Sequence, residues 1–348
     1  MCRTHDSWHV FLFTELLGSG VSVLLNEATR FKSAAYANTT KRTYQSQTNT
    51  YIKFCLKFNL VPVPASQETI CAYVSFLART LSPNSIPAYM NIIRILHIEA
   101  GFNNPISDNW ELKMIQKGIS RLLGKPPKQK LPISIPILLG IASSLANHPS
   151  DASFWAACLV AFFGFLRKST LLPANDAILL GKFISRRDLE KLTLASFSIR
   201  IRNSKTIQCG QRVLVLPYVS CADPRLCPVR AMLKHLGHSK LPEARPLFNY
   251  MDKGVEFQFT HAFFVKRLKL ALLASGNSTS EISCHSFRRG GATLAHAVGL
   301  SSLEIKCRGD WRSNAFERYV DISASSSLSS AHALSVGAVA AASCYVFR

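Results

Sequence analysis

The stretch Gly124-Lys-Pro-Pro-Lys-Gln-Lys130 divides this chain. Its adjacent prolines remove backbone donors and bar a helix, and its lysines resist burial, so it reads as an exposed linker. The apolar residues follow different periods on its two sides. Residues 28–123 read as helical throughout, whereas the part from residue 131 onward mixes helical and alternating patterns. With 348 residues the chain is long enough for two cores. The expected fold is mainly α with a small β-hairpin or sheet (α+β).

Within the first part, Thr43–Phe58 places Tyr44, Tyr51, Phe54, Cys55 and Phe58 on one helical face. Val61-Pro-Val-Pro64 stops that helix, and Ser66 followed by Glu68 opens the next, Glu68–Leu81. Ser85–Ala100 and Trp110–Leu123 complete the set. In the second part, Ile135–Leu145 and Asp151–Leu166 read as packed helices, the latter apolar nearly all round and therefore buried. Ser196–Arg202 then alternates, Val213–Leu216 is a short apolar strand, and Asn203–Gln211 joins them as a β-hairpin. Helices resume at Cys227–Leu236, Thr260–Ala274, His285–Val298 and Ser302–Cys307. Residues 1–27 read as a poorly ordered N-terminal extension, and residues 323–348 as a Ser- and Ala-rich tail.

Lys and Arg number 41 against 20 Asp and Glu, a formal net charge of +21. Both sides of the linker share the excess, so both would attract a polyanion, nucleic acid first. A membrane partner is not expected. The apolar run Trp8–Leu25 is broken by Glu15, Gly18 and Gly20, and Phe154–Leu166 falls short of the ~20 residues a spanning helix needs. The 10 cysteines are scattered without a CxxC pair and read as thiols of a reducing compartment, not as disulfides or a zinc site. His235 and His238 have no Cys, Asp or Glu nearby to complete a metal site and read as a surface helix end.

The residues that carry chemistry lie in the second part. His285-Ser-Phe-Arg288 sets a histidine and an arginine one helical turn apart, on one face. Gly309-Asp-Trp311 follows, then Tyr319 beside Arg318. Arg167 closes the apolar run Phe154–Leu166, so its charge must surface in a cleft or meet an anion. Lys205 sits at the hairpin tip in Asn-Ser-Lys-Thr. Singly, each has an ordinary explanation: a salt bridge, a charged turn, a core histidine, a packed indole, a tyrosine covering a core. Jointly they supply planar guanidinium forks for phosphate oxygens, a proton donor and a nucleophile.

This order resembles that of the tyrosine recombinase (phage integrase) family, which runs Arg, Lys, His-x-x-Arg, His or Trp, then Tyr. The likeness spans residues 30 to 322. The Ser-Lys-Thr hairpin, Leu226-Cys-Pro-Val229 and the run His-Ser-Phe-Arg-Arg-Gly-Gly-Ala-Thr from His285 look most like the eukaryotic, transposon-borne branch with Crypton- and DIRS-type elements. The resemblance implies a core-binding (SAM-like) DNA-binding domain over 28–123, the linker 124–130, a catalytic domain over 131–322 and a tail, 323–348, exchanged between protomers. It implies catalytic roles for Arg167, Lys205, His285, Arg288, Trp311 and Tyr319. Tyr319 would form a 3′-phosphotyrosyl link and Lys205 would protonate the leaving 5′-oxygen. Arg167, Arg288 and His285 would stabilise the phosphorane, with Trp311 giving its N–H. The reaction would use no cofactor, neither metal nor ATP. The implied partners are double-stranded DNA and a homotetramer on two duplexes, with a mobile element as origin and the nucleus as its place of action.

Two departures stand out. Thr170 occupies the position, three after the first arginine, where the family usually has an acidic residue. The interval from Trp311 to Tyr319 is one residue shorter than in many bacterial members. The rival expectation is a decayed DNA-binding protein that keeps the fold. A metal-dependent DDE-type transposase would need a carboxylate triad that the sequence does not offer. A type IB topoisomerase shares the chemistry, but the motifs match recombinases.

Overall fold

A computed structural model describes residues 7–126, 129–174 and 183–318. It separates into two compact units between Pro127 and Lys128. The first is wholly helical: α1 (Ser7–Ala34), α2 (Asn38–Lys57), α3 (Gln67–Ala78), α4 (Ile86–Glu99) and α5 (Trp110–Leu123). Within the stretch 1–27, read from the sequence as a poorly ordered extension, the structure describes α1 from Ser7 onward. No proline interrupts residues 7–34, and a helix can absorb an interior glycine at about 1 kcal/mol each. Side-chain caps set two starts as read from the sequence: Ser66 accepts from the Thr69 N–H at 3.2 Å, and Asn109 from the Leu112 N–H at 2.9 Å. Tyr51, Phe54, Ile70, Val74, Ile93 and Leu112 meet in the core of this unit. His97 is buried there, its Nε2 accepting from the Ala65 N–H at 2.8 Å, which pins the loop before α3.

The second unit is built round α7 (Pro149–Phe163), which follows α6 (Ile135–Ser143) and precedes the single turn α8 (Lys168–Leu171). Phe154, Ala157, Cys158, Leu159 and Val160 are all buried, so α7 is the apolar rod the sequence suggests. Next come β1 (Leu189–Glu190), β2 (Ser196–Ile201) and β3 (Leu214–Val219), an antiparallel sheet in that order. The register runs from Ser196 opposite Val219 to Ile201 opposite Leu214. Phe197, Ile199 and Ile201 face the core, as their alternation requires. The strand expected to stop at Leu216 continues to Val219. Pro217 is tolerated because β3 is an edge strand and Pro217 has no N–H to leave unpaired.

Beyond the sheet lie α9 (Pro228–Gly237), the hairpin β4 (Tyr250–Asp252) and β5 (Val255–Phe257), α10 (His261–Ala274), α11 (Cys284–Ala297), α12 (Ser302–Arg308) and a 3-10 segment, Asn314–Arg318. The short strands β1, β4 and β5 are additions to the sequence reading; two or three residues are too few to establish a period. His235 is also corrected. It is 0% exposed, with Nδ1 against Ser153 Oγ at 2.9 Å and Nε2 against the Leu247 carbonyl at 2.8 Å. The apolar face of α9 turns it onto α7, whereas His238, three residues on, is exposed. Among the described residues no helix is long and apolar enough to cross a membrane.

Candidate active site

The first turn of α11 is fixed by serines. Ser283 Oγ accepts from the His285 N–H at 3.3 Å, and Ser286 Oγ accepts from the Ser283 N–H at 3.0 Å. This reciprocal cap places His285 at the exposed end of the helix and Arg288 one turn deeper. An extended strap runs alongside, with the Ile133 N–H on the Ser286 carbonyl at 3.0 Å. The helix then closes on its neighbours through two glycines. A Cβ at Gly290 would lie 2.0 Å from the Ile133 carbonyl oxygen, and one at Gly291 2.1 Å from that of Phe162. Gly-Gly in the His285 motif is thus what seats the helix that carries the histidine and the arginine.

Arg288 is only 2% exposed. A buried guanidinium is stable only if hydrogen-bonded. Its Nη1 donates to the Phe165 carbonyl and its Nη2 to that of Gly309 at 2.7 Å, while its plane lies 3.7 Å above the centre of the Trp311 ring. Phe165 belongs to a corner. Helix α7 ends at Phe163, and Phe165 takes a left-handed φ of 50°. Arg167 therefore does not end the buried helix, as the sequence suggested; it caps α8 on the far side of the corner. It is half-buried, and among the described residues its guanidinium makes no hydrogen bond or ion pair.

Arg167 borders two hollows. A cleft of about 610 Å3 is lined by Arg167, Lys130, Lys168, Lys269 and His285, with no acidic side chain lining it among the described residues. A much smaller cavity joins Arg167 to Arg288, Thr170, Ser204 and Asp310. Cations crowded against low-dielectric walls concentrate a field that draws in an anion. His285 feels the same field: partial burial first, then the charges of Arg288, Arg167 and Arg289, lower its pKa below the ordinary histidine value. Near neutral pH it is therefore an uncharged imidazole that can take up a proton.

The remaining sequence-derived residues differ in placement. Lys205 is exposed on the turn between β2 and β3, and its neighbours Ser204 and Thr206 reach the small cavity through Asp310. Trp311, given an N–H donor role by the resemblance, lies as a shelf beneath Arg288, packed with Phe165 and Phe316. Thr170 is buried on the corner, 3% exposed. Tyr319 lies outside the described residues, one position past the 3-10 segment. The tail 323–348 lies outside them as well.

Several residues were not singled out by sequence. Arg308 ties the end of α7 to β3, donating from Nε to the Phe163 carbonyl at 2.6 Å and from Nη2 to that of Pro217 at 2.9 Å. Lys168 and Lys269 lie far apart in the chain and share the cleft only through the fold. Asp310 stood inside the Gly-Asp-Trp motif unread; an acidic side chain wedged between a glycine and an indole in so basic a chain was the available signal.

No protein-family model matches the chain. Solved integrase structures do match it across most of their length. The lambda integrase (75–356) dimer bound to a COC′ core site superposes with a TM-score of 0.56 at 15% identity, over 86% of this chain and 94% of that one. The Tn1549 transposon integrase (82–397) in complex with circular intermediate DNA gives 0.57 at 11% identity, over 87% and 96%. The chain has the tyrosine recombinase/integrase fold. In sequence, this recombinase-fold chain is 26% identical over 290 residues to the "Integrase/recombinase xerD homolog" of Selenomonas ruminantium, 80% of each chain being covered.

Proposed function

We propose that the chain is a site-specific DNA recombinase or integrase, a metal- and ATP-independent enzyme that cleaves and rejoins DNA through Tyr319. The observation that carries this reading is the place of Arg167, which borders both the cationic cleft that holds His285 and the smaller cavity that holds Arg288 and Ser204 at the foot of the Lys205 turn. In that site the Tyr319 oxygen attacks phosphorus and the bond to the 5′-oxygen breaks. The strand keeps a 3′-phosphotyrosyl link, and the leaving oxygen receives its proton from Lys205. Neutral His285 is available to accept the phenol proton, and the arginines stabilise charge on the non-bridging oxygens. The covalent link conserves the phosphodiester energy for rejoining to a second 5′-hydroxyl.

The finer assignments belong to the same proposal. The motif wording from His285 to Thr293 supports a mobile-element origin in the Crypton/DIRS-like branch, and with it action in the nucleus. Assembly of four protomers on two duplexes is supported by analogy with the lambda integrase tetramer bound to a Holliday junction. A second reading has its own observation: both terminal nitrogens of Arg288 donate to backbone carbonyls, which suits a protein that keeps the fold and binds DNA without cutting it.

Covalent capture separates the two. Nicked duplexes with a randomised core are incubated with the protein, and protein–DNA adducts surviving denaturant are recovered and sequenced. Wild type should enrich one site and Tyr319→Phe none. Salt-sensitive binding with no adduct from any round would select the binding protein instead.

A further inference from the structure

We propose that Asp310 is a positioning residue that fixes the 203–212 turn and thereby sets where Lys205 stands. Three donors of that turn converge on its carboxylate. Ser204 Oγ donates to Oδ2 at 3.0 Å, Thr206 Oγ1 donates to the same oxygen, and Arg212 Nη2 donates to Oδ1. The carboxylate is nearly sealed from water, at 6% exposure of its side chain, so its bonds are not diluted by solvent. Ser204 and Thr206 are the residues on either side of Lys205. The lysine backbone is therefore held at both flanks while its side chain stays exposed. Arg312 adds a tie from the same segment, its Nη2 donating to the Thr206 carbonyl at 2.6 Å.

The segment that supplies Asp310 is itself tied to the cleft. Asp310 adopts a left-handed φ of 54° directly after α12 and Gly309, a conformation aspartate tolerates better than most residues. The turn points consecutive residues at different partners. Gly309 offers its carbonyl to Arg288, Asp310 faces the lysine turn, and the Trp311 ring lies beneath Arg288. Gly309 has to be glycine, since a Cβ there would sit 1.7 Å from a carbon of the Trp311 ring. Three residues thus register the lysine turn against the buried arginine. Without the carboxylate, the turn would keep the Arg312 tie and its local bonds, such as Ser204 N–H to the Ile207 carbonyl at 3.0 Å and Gln208 Nε2 to the Lys205 carbonyl at 2.8 Å.

The proposal rests on the recombinase reading for the role of Lys205, so its test has one arm that needs no DNA. Hydrogen–deuterium exchange on the DNA-free protein should show the amides of 204–207 exchanging about tenfold faster in Asp310→Ala, with α7 unchanged. Unaltered exchange at the turn overturns the positioning role. Asp310→Asn keeps an acceptor for the hydroxyls and should fall between, which guards against a misfolded alanine variant. The second arm uses the duplex captured by wild type, made with oxygen or sulfur at the bridging 5′ position. A thiolate departs without a proton, so loss of a proton donor is masked on sulfur. Asp310→Ala should cleave the oxygen substrate about tenfold or more slower than wild type and the sulfur substrate within about threefold, and Lys205→Ala should show the same pattern. Equal slowing on both substrates, with Lys205→Ala rescued, overturns the link to the lysine. If wild type captures no duplex at all, the recombinase reading fails, and the exchange arm still decides whether Asp310 places the turn.

Discussion

Gly291→Ala tests whether the seating of α11 on α7 holds the site together. The added Cβ would lie 2.1 Å from the Phe162 carbonyl oxygen and 2.6 Å from a ring carbon of Phe165, against an ordinary contact of 3.4–4 Å. The obstacle is backbone, which cannot rotate aside, so α11 has to retreat by about 1 Å. Overpacking of this kind costs about 1–3 kcal/mol, and a rigid obstacle belongs in the upper half of that range. For a unit of this size each kcal/mol lowers Tm by about 2–4 °C, so a fall of about 5–10 °C is expected. The same retreat draws Arg288 from the Phe165 carbonyl, so adduct formation should fall further than the unfolded fraction explains. Gly118→Ala in α5 is the internal control. Nothing lies within 4 Å of its added Cβ, and an interior helical alanine should stabilise the first unit by about 0.5–1 kcal/mol. Thermal melts followed by circular dichroism read both. A Gly291→Ala midpoint within about 1 °C of wild type would refute the close-packing argument.

Two further outcomes follow from charge. Burial lowers the pKa of His235 from 6.5 to about 4. The folded state then binds fewer protons than the unfolded one between those values, so the stability present in full above pH 6.5 is lost as pH falls to about 4, ~3 kcal/mol in all. Urea melts should show about 2 kcal/mol of that loss between pH 7.5 and 5, and His235→Gln should remove it; parallel pH profiles for the two proteins would contradict the burial. Lys168→Ala with Lys269→Ala should reduce the slope of log affinity for duplex DNA against log salt by about 2, the two cations being exposed on the cleft. An unchanged slope would place the duplex elsewhere.

Local chemistry was legible in the sequence. The helices expected at Glu68–Leu81, Trp110–Leu123 and His285–Val298 begin at or within a residue of those starts, because the apolar period, and at Ser66 a side chain reaching its own backbone, need no distant partner. The alternation of Phe197, Ile199 and Ile201 announced β2 for the same reason. The order of Arg167, Lys205, His285 and Arg288 was readable as text, and the fold brings the first, third and fourth to adjoining hollows. The end of α7 was misjudged because Gly164 and the left-handed Phe165 interrupt a run whose side chains remain apolar, and hydrophobicity alone does not register a reversal of φ.

Tertiary structure decided what each charged group touches. A sequence position cannot say that the Arg288 fork meets the carbonyls of Phe165 and Gly309, which come from a helix corner and a helix end. Nor can it say that Asp310 gathers Ser204, Thr206 and Arg212 from about a hundred residues upstream. His235 reads as a polar helix end until α9 is docked on α7, when burial makes it a neutral core residue. Helix and strand signals are short-range and periodic, so the chain itself carries them. Hydrogen-bond partners and pKa values depend on which surfaces exclude water together, and only the packed fold settles that.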